Sequence, residues 1–169
     1  MNHTPGEFRI IDNLQRFGED IQRDELKYHN KRVLVCKEFT FDAAHHLHAY
    51  EGKCKNLHGH TYKAVFGISG VPNDIGITVD FGEIKDIWKD LIEPYLDHRY
   101  LNETLPKMNT TAENMVAWLF EQMEQALQGS IHLKHEDIPC SNDIRTEFVR
   151  LYETPTSYAE ARREWMLSE

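Results

Sequence analysis

The order of hydrophobic periods along the chain predicts an α+β domain, a four-stranded antiparallel sheet with two helices on one face. Three observations carry this. Residues 33–44 and 58–70 alternate with the two-residue period of a pleat, the central segments 84–95 and 110–127 recur at helical spacing, and two short strand-like runs, 146–153 and 157–162, close the chain. With helices on one face only, the other face and the sheet edges need cover. Joining several sheets into a barrel by oligomerisation would supply it.

Each element has its own signature. The first thirty or so residues mix charges with scattered Phe8, Ile10, Ile11, Leu14 and Phe17 and keep no period, so residues 1–32 read as an N-terminal extension, with room for a short helix. Residues 33–169 form the domain proper. In VLVCKEFTFDAA, Phe39, Phe41, Ala43 and then His45 share a face. In HGHTYKAVFGISG, His58, His60, Tyr62, Ala64, Phe66 and Ile68 do the same. Ile84, Ile87, Trp88, Leu91, Ile92 and Tyr95 mark the first helix, which ends near Pro94. Thr110 with Glu113 three residues on has capping-box spacing ahead of Met115, Val116, Leu119, Met123 and Leu127, and Gly129 is a suitable stop. The polar, Pro-interrupted stretch near 129–145 reads as a surface insertion.

Composition narrows the function. In 169 residues, 40% hydrophobic, 19 Lys and Arg stand against 28 Asp and Glu, a net charge of -9 that disfavours a general nucleic-acid surface. No run approaches the ~18 to 20 apolar residues of a membrane span, and the N-terminus lacks the plan of a secretory signal, so the expectation is a cytoplasmic protein with no membrane partner. Cys36, Cys54 and Cys140 form no C-x-x-C pair and are odd in number, which points to free thiols rather than a disulfide framework. Cys36, inside an apolar strand, reads as a buried hydrophobe.

Five of the ten histidines fall within sixteen residues. His45 at one strand end and His58 and His60 at the start of the next can converge on one ion, since paired strands lie about 4.8 Å apart. Three imidazoles with an open fourth position are the arrangement of catalytic zinc. Cys54 as a fourth ligand would instead close a structural site, and single histidines among these could be hydrogen-bonded core residues. Lys53 and Lys55 flank Cys54, and their charges favour its thiolate as a base. Asp97 beside His98 forms a second acid-base pair if the chain turns there; otherwise His98 is a cation at a helix end. Glu153, at a strand end, is either solvated or an anchor for a planar amidine-like ring edge.

Taken together, F-D-A-A-H (41–45), C-x3-H-G-H (54–60), V-D-F (79–81), L-D-H (96–98), T-A-E-N (111–114) and Y-E-T (152–154) resemble the 6-pyruvoyltetrahydropterin synthase superfamily over about residues 34–160. The short C-x3-H-G-H spacing is similar to that of its bacterial 6-carboxy-5,6,7,8-tetrahydropterin synthases of queuosine biosynthesis. The resemblance implies the tunnelling fold, commonly a hexamer of two trimers, and Zn2+ on His45, His58 and His60. It implies Cys54 as general base, Asp97 and His98 as the remaining proton-transfer groups, Glu153 as pterin anchor and Thr111 as a further pterin contact, with Glu113 capping its helix. Asp97 and His98 would serve a site whose metal belongs to a neighbouring subunit. The implied reaction takes 7,8-dihydroneopterin triphosphate to 6-carboxytetrahydropterin with loss of acetaldehyde and triphosphate, and Lys53 and Lys55 are candidates for the triphosphate. The alternatives are 6-pyruvoyltetrahydropterin synthesis on the same ligands and a noncatalytic zinc-stabilised pterin-binding protein.

Overall fold

Apolar side chains at every second position commit two long segments to pairing, and their patterns fall into register. In the computed structural model, which describes residues 21–130 and 143–168, β1 (Val33–His45) and β2 (His58–Gly70) pair antiparallel throughout. Phe41 stands opposite Tyr62, Ala43 opposite His60 and His45 opposite His58. The strands β4 (Arg145–Thr154) and β5 (Ser157–Arg162) continue the antiparallel pairing from β2 outward.

The sheet differs from expectation at its other edge. A two-residue strand, β3 (Arg99–Tyr100), runs parallel to β1 against Ala43 and Ala44, so the sheet is five-stranded and mixed, in the order β3-β1-β2-β4-β5. Its cause is local. The backbone N–H of His98 donates to the Asp42 carbonyl at 2.6 Å with His98 at φ 55, and the chain leaves this turn alongside β1. Two residues are too few to show a period.

The first helical segment is also subdivided. Asp80 accepts from the Gly82 N–H at 2.6 Å and caps α1 (Phe81–Ile87), which widens into a π turn over Trp88–Ile92 and tightens into a 3-10 turn over Glu93–Tyr95, where Pro94 brings no N–H. After the short α2 (Leu101–Thr104), α3 (Ala112–Ser130) runs on through Gly129 rather than stopping there. The last element is α4 (Arg163–Met166).

The cap of α3 is shifted by one residue from the expected one. Thr111 Oγ1 accepts from the Asn114 N–H at 3.2 Å, while Thr110, wholly buried, turns toward His45.

All four long strands and both main helices contribute to one core, with Phe41, Tyr62, Phe66, Trp88, Met115 and Phe120 among its buried side chains. Phe41 stacks on Tyr62 at 4.9 Å and Phe39 on Trp88 at 4.7 Å. The opposite face of β1 is open: Leu34 and Cys36 are exposed. Cys36 is therefore no core residue; in V-L-V-C every position is apolar, so alternation is invisible until β2 fixes which face is covered.

Residues 1–20 of the expected extension, with its possible short helix, and residues 131–142 of the expected insertion, with Cys140, lie outside the described residues. At the borders, Arg23 pairs with Asp74, and Arg32 reaches Ser69 and Asp143. No helix among the described residues is long and apolar enough to cross a membrane.

Candidate active site

At the end of β1 the core face runs out of carbon and turns to imidazole. His45, 1% exposed, faces His58 and His60 across the β1–β2 ladder, and one nitrogen from each ring lies within 4.8 Å of the others.

The hydrogen bonds settle which nitrogens are available. His45 Nδ1 bonds the Thr110 carbonyl at 2.8 Å and His58 Nδ1 the Asn56 carbonyl at 2.7 Å. A carbonyl only accepts, so each Nδ1 carries the proton and each Nε2 keeps a bare lone pair. Those two Nε2 atoms nevertheless face one another at 3.1 Å. Two lone pairs at that distance repel unless a cation lies between them. The Nε2 atoms of a tetrahedral ion's ligands, each ~2.0 to 2.1 Å from the metal, stand roughly 3.3 Å apart.

His60 Nε2 supplies the third observation: it is buried without a hydrogen-bond partner. Burial holds His45 and His60 below the usual histidine pKa range, which keeps them neutral as ligands must be. The donor set fits a divalent ion, with Thr110 and Asn56 orienting two of the ligands.

Behind the centre, Asn102 exchanges two hydrogen bonds with the His46 backbone, at 3.0 and 2.9 Å, and Asn109 two with that of His48, at 2.9 and 3.1 Å. Tyr62 lies beneath it, its hydroxyl 3.4 Å from His45 Nε2 and held protonated by burial.

Cys54 occupies a 3-10 turn over Lys53–Lys55, half-buried between two exposed lysines, and its carbonyl accepts from the Leu47 N–H at 2.9 Å. Its thiol is not among the clustered ligand atoms, which come from the three histidines. Glu153 does reach the centre, Oε1 standing 3.6 Å from His60 Nε2. Thr111 lies beside Thr110 at the start of α3, its oxygen engaged in the cap. Glu113 lies in the first turn of α3.

Asp97 and His98 form their pair in the turn they require, His98 Nδ1 lying 2.9 Å from Asp97 Oδ2. The Asp42 N–H and His98 hold Asp97 below the usual carboxylate range, and Asp97 raises His98. The charge pair is fully formed at pH values between the ordinary carboxylate and imidazole pKa values. It is lost on acidification through the lowered Asp97 value and on alkalinisation through the raised His98 value. The pair sits apart from the three histidines, gathered round Asp42, whose side chain leaves β1 on the exposed side.

Sequence reasoning gave Thr110 only a capping role and did not assign Asn56, Asn102 or Tyr62 to the site. Two act through backbone carbonyls, which carry no residue signature. Thr110 had one trace: of two adjacent threonines only one can cap.

Three converging imidazoles with free Nε2 atoms, oriented from behind and joined by an acid, define a candidate metal-dependent catalytic centre on an α+β sheet. The family model for 6-pyruvoyl tetrahydropterin synthase matches residues 34–164, and the chain belongs to that family. It is 35% identical over 117 residues to the 6-carboxy-5,6,7,8-tetrahydropterin synthase of Synechocystis, covering 66% of this chain and 91% of that protein. It is 35% identical over 150 residues to the Haemophilus influenzae protein of the same name, covering 75% and 96%. Among solved structures, Caenorhabditis elegans 6-pyruvoyl tetrahydropterin synthase superposes with a TM-score of 0.63 at 22% identity, over 80% of this chain and 98% of that one. That likeness is one of fold.

Proposed function

We propose that the protein is a 6-carboxy-5,6,7,8-tetrahydropterin synthase, a carbon-carbon lyase that converts 7,8-dihydroneopterin triphosphate to 6-carboxytetrahydropterin with release of acetaldehyde and triphosphate. The observation that carries this reading is the meeting of three available histidine Nε2 atoms with Glu153 at one end of the sheet. Relatives of that name match most of the chain.

His45, His58 and His60 would hold Zn2+, the ion that three neutral imidazoles favour. Such an ion supplies a Lewis acid that makes the substrate's side-chain hydroxyls more acidic. Glu153 anchors the pterin by accepting parallel hydrogen bonds from its amidine-like edge. Thr111 adds a contact through its hydroxyl hydrogen, since its oxygen already accepts from Asn114. Cys54, as thiolate, takes the side-chain proton at Sγ, and Lys53 and Lys55 draw in the triphosphate. His98, with Nδ1 held by Asp97, exchanges protons through Nε2. In this reading the enzyme works in the cytoplasm, where a free thiol used as a base stays reduced, and belongs to queuosine biosynthesis. It works as a homo-oligomer, a hexamer in this reading.

The deciding experiment incubates the zinc-loaded protein with 7,8-dihydroneopterin triphosphate, traps acetaldehyde, and identifies the pterin by mass spectrometry. A 6-carboxy product with one acetaldehyde per turnover is expected. A 6-pyruvoyl product without acetaldehyde would assign the reaction printed in the name of the Dictyostelium discoideum relative, 28% identical over 117 residues. Binding without turnover would make the protein a pterin carrier.

A further inference from the structure

We infer that Asp42 is a positioning residue for His98, its carboxylate a second acid that keeps the imidazole loaded with a proton and its backbone the clamp that holds the turn. The inference rests on the reading of His98 as a proton-transfer group.

Asp42 lies on β1 between the buried Phe41 and Ala43, so strand alternation turns its side chain to the exposed face. Its backbone N–H donates to Asp97 Oδ1 at 3.0 Å. Its carbonyl accepts the His98 N–H at 2.6 Å. Its carboxylate has an oxygen within 4.8 Å of both a His98 ring nitrogen and an Asp97 oxygen. From the neighbouring strand Thr61, the direct partner of Asp42 in the ladder, donates its hydroxyl to Asp42 Oδ1 at 2.5 Å and fixes the side chain. Three groups of one residue therefore address a single dipeptide.

The backbone conformation shows what this clamp does. His98 sits at φ 55, in the left-handed region that side chains other than glycine seldom occupy. Such a conformation persists where surrounding contacts over-determine it, and here the carbonyl of Asp42 does so.

The charges around the ring complete the argument. Asp97 and Asp42 face it with negative charge. Arg99, Tyr100 and His60 line the same open depression of about 590 Å³, and Lys89 bears on Asp97 from the π turn. Asp97 takes Nδ1, so the second carboxylate adds attraction for the protonated ring without taking up the nitrogen used for transfer. His98 then enters the reaction as a donor, and turnover is lost once it is deprotonated at high pH.

A titration of the histidine ring signals by NMR tests this on the full-length, zinc-loaded protein, with His98 assigned through His98→Gln. Asp42→Asn is expected to lower the His98 midpoint by roughly half a unit, a modest effect because the ring is exposed. The alkaline limb of kcat/KM should move down with it at unchanged zinc content. Asp42→Glu, which keeps the charge, should recover part of the shift. If Asp42→Asn does not fold, Asp42→Ser removes the charge equally and is read in its place. A midpoint that stays put in the Asp42 variants while Asp97→Asn lowers it overturns the inference. Full turnover in His98→Gln would instead remove His98 from the chemistry, and the titration would still decide the role of Asp42.

Discussion

A proton carrier and a metal ligand fail in different ways when the side chain is removed, and Cys54 is placed to show which it is. Its thiol stands outside the cluster of three histidines, on a turn fixed through backbone bonds to Leu47 and within its own turn. Cys54→Ala should therefore bind zinc at the wild-type ratio, melt at the wild-type temperature, and lose turnover by about 10²-fold or more, the contribution of a well-placed acid or base. Metal analysis and a melting curve on the same preparation check it; joint loss of zinc and stability would make the thiol a fourth ligand. At this scale the site was legible where chemistry belongs to residue type and period. His45, His58 and His60 were readable because strand parity sends all three to one face. The bonds that orient His45 and His58 end on carbonyls of Thr110 and Asn56, and every residue has a carbonyl. The reach of Glu153 to His60 depends on how β4 is registered against β2, a long-range fact no local pattern contains.

Element boundaries show the same division. Long elements with a sustained period were legible, whereas the two-residue β3 and the shifted cap of α3 were not, because the tertiary hydrogen bonds of His98 to Asp42 and of His45 to Thr110 accompany them, and the five-residue π turn is too short to show a period of its own. The cap carries a prediction. Thr111 Oγ1 and Asp80 Oδ1 occupy the same structural role at the starts of α3 and α1. Thr111→Ala and Asp80→Ala should each lower stability by about 1 kcal/mol, the usual value of such a cap. If Thr111 also touches the pterin, only its variant should raise KM. Denaturant unfolding and steady-state kinetics on both proteins separate the two roles; equal KM values would confine Thr111 to capping.

The arrangement of the whole sheet bears on whether one chain can be active alone. His45 faces the helix-covered side of β1, and the Asp97–His98 pair gathers round Asp42 on the exposed side. Within one chain the two sets meet at the depression that His60 and His98 both line, while their ligand atoms form separate clusters. Among the described residues β3 covers only Ala43 and Ala44, so the outer edge of β1 from residue 33 to 42 has no strand beside it, and β5 is the other edge. An open edge at each end of one sheet favours head-to-tail pairing of copies into a closed ring. Such a ring would bring Asp97 and His98 of one subunit toward the histidines and Cys54 of the next. Cys54→Ala and His98→Ala should then both be inactive, yet subunits mixed in equal amounts during assembly should regain about a quarter of wild-type turnover, because random neighbours complete one site in four. A site contained in a single chain would regain none. The two results differ by the whole of the recovered activity, and native mass spectrometry of the mixture, with one variant isotopically labelled, shows whether the subunits have in fact exchanged.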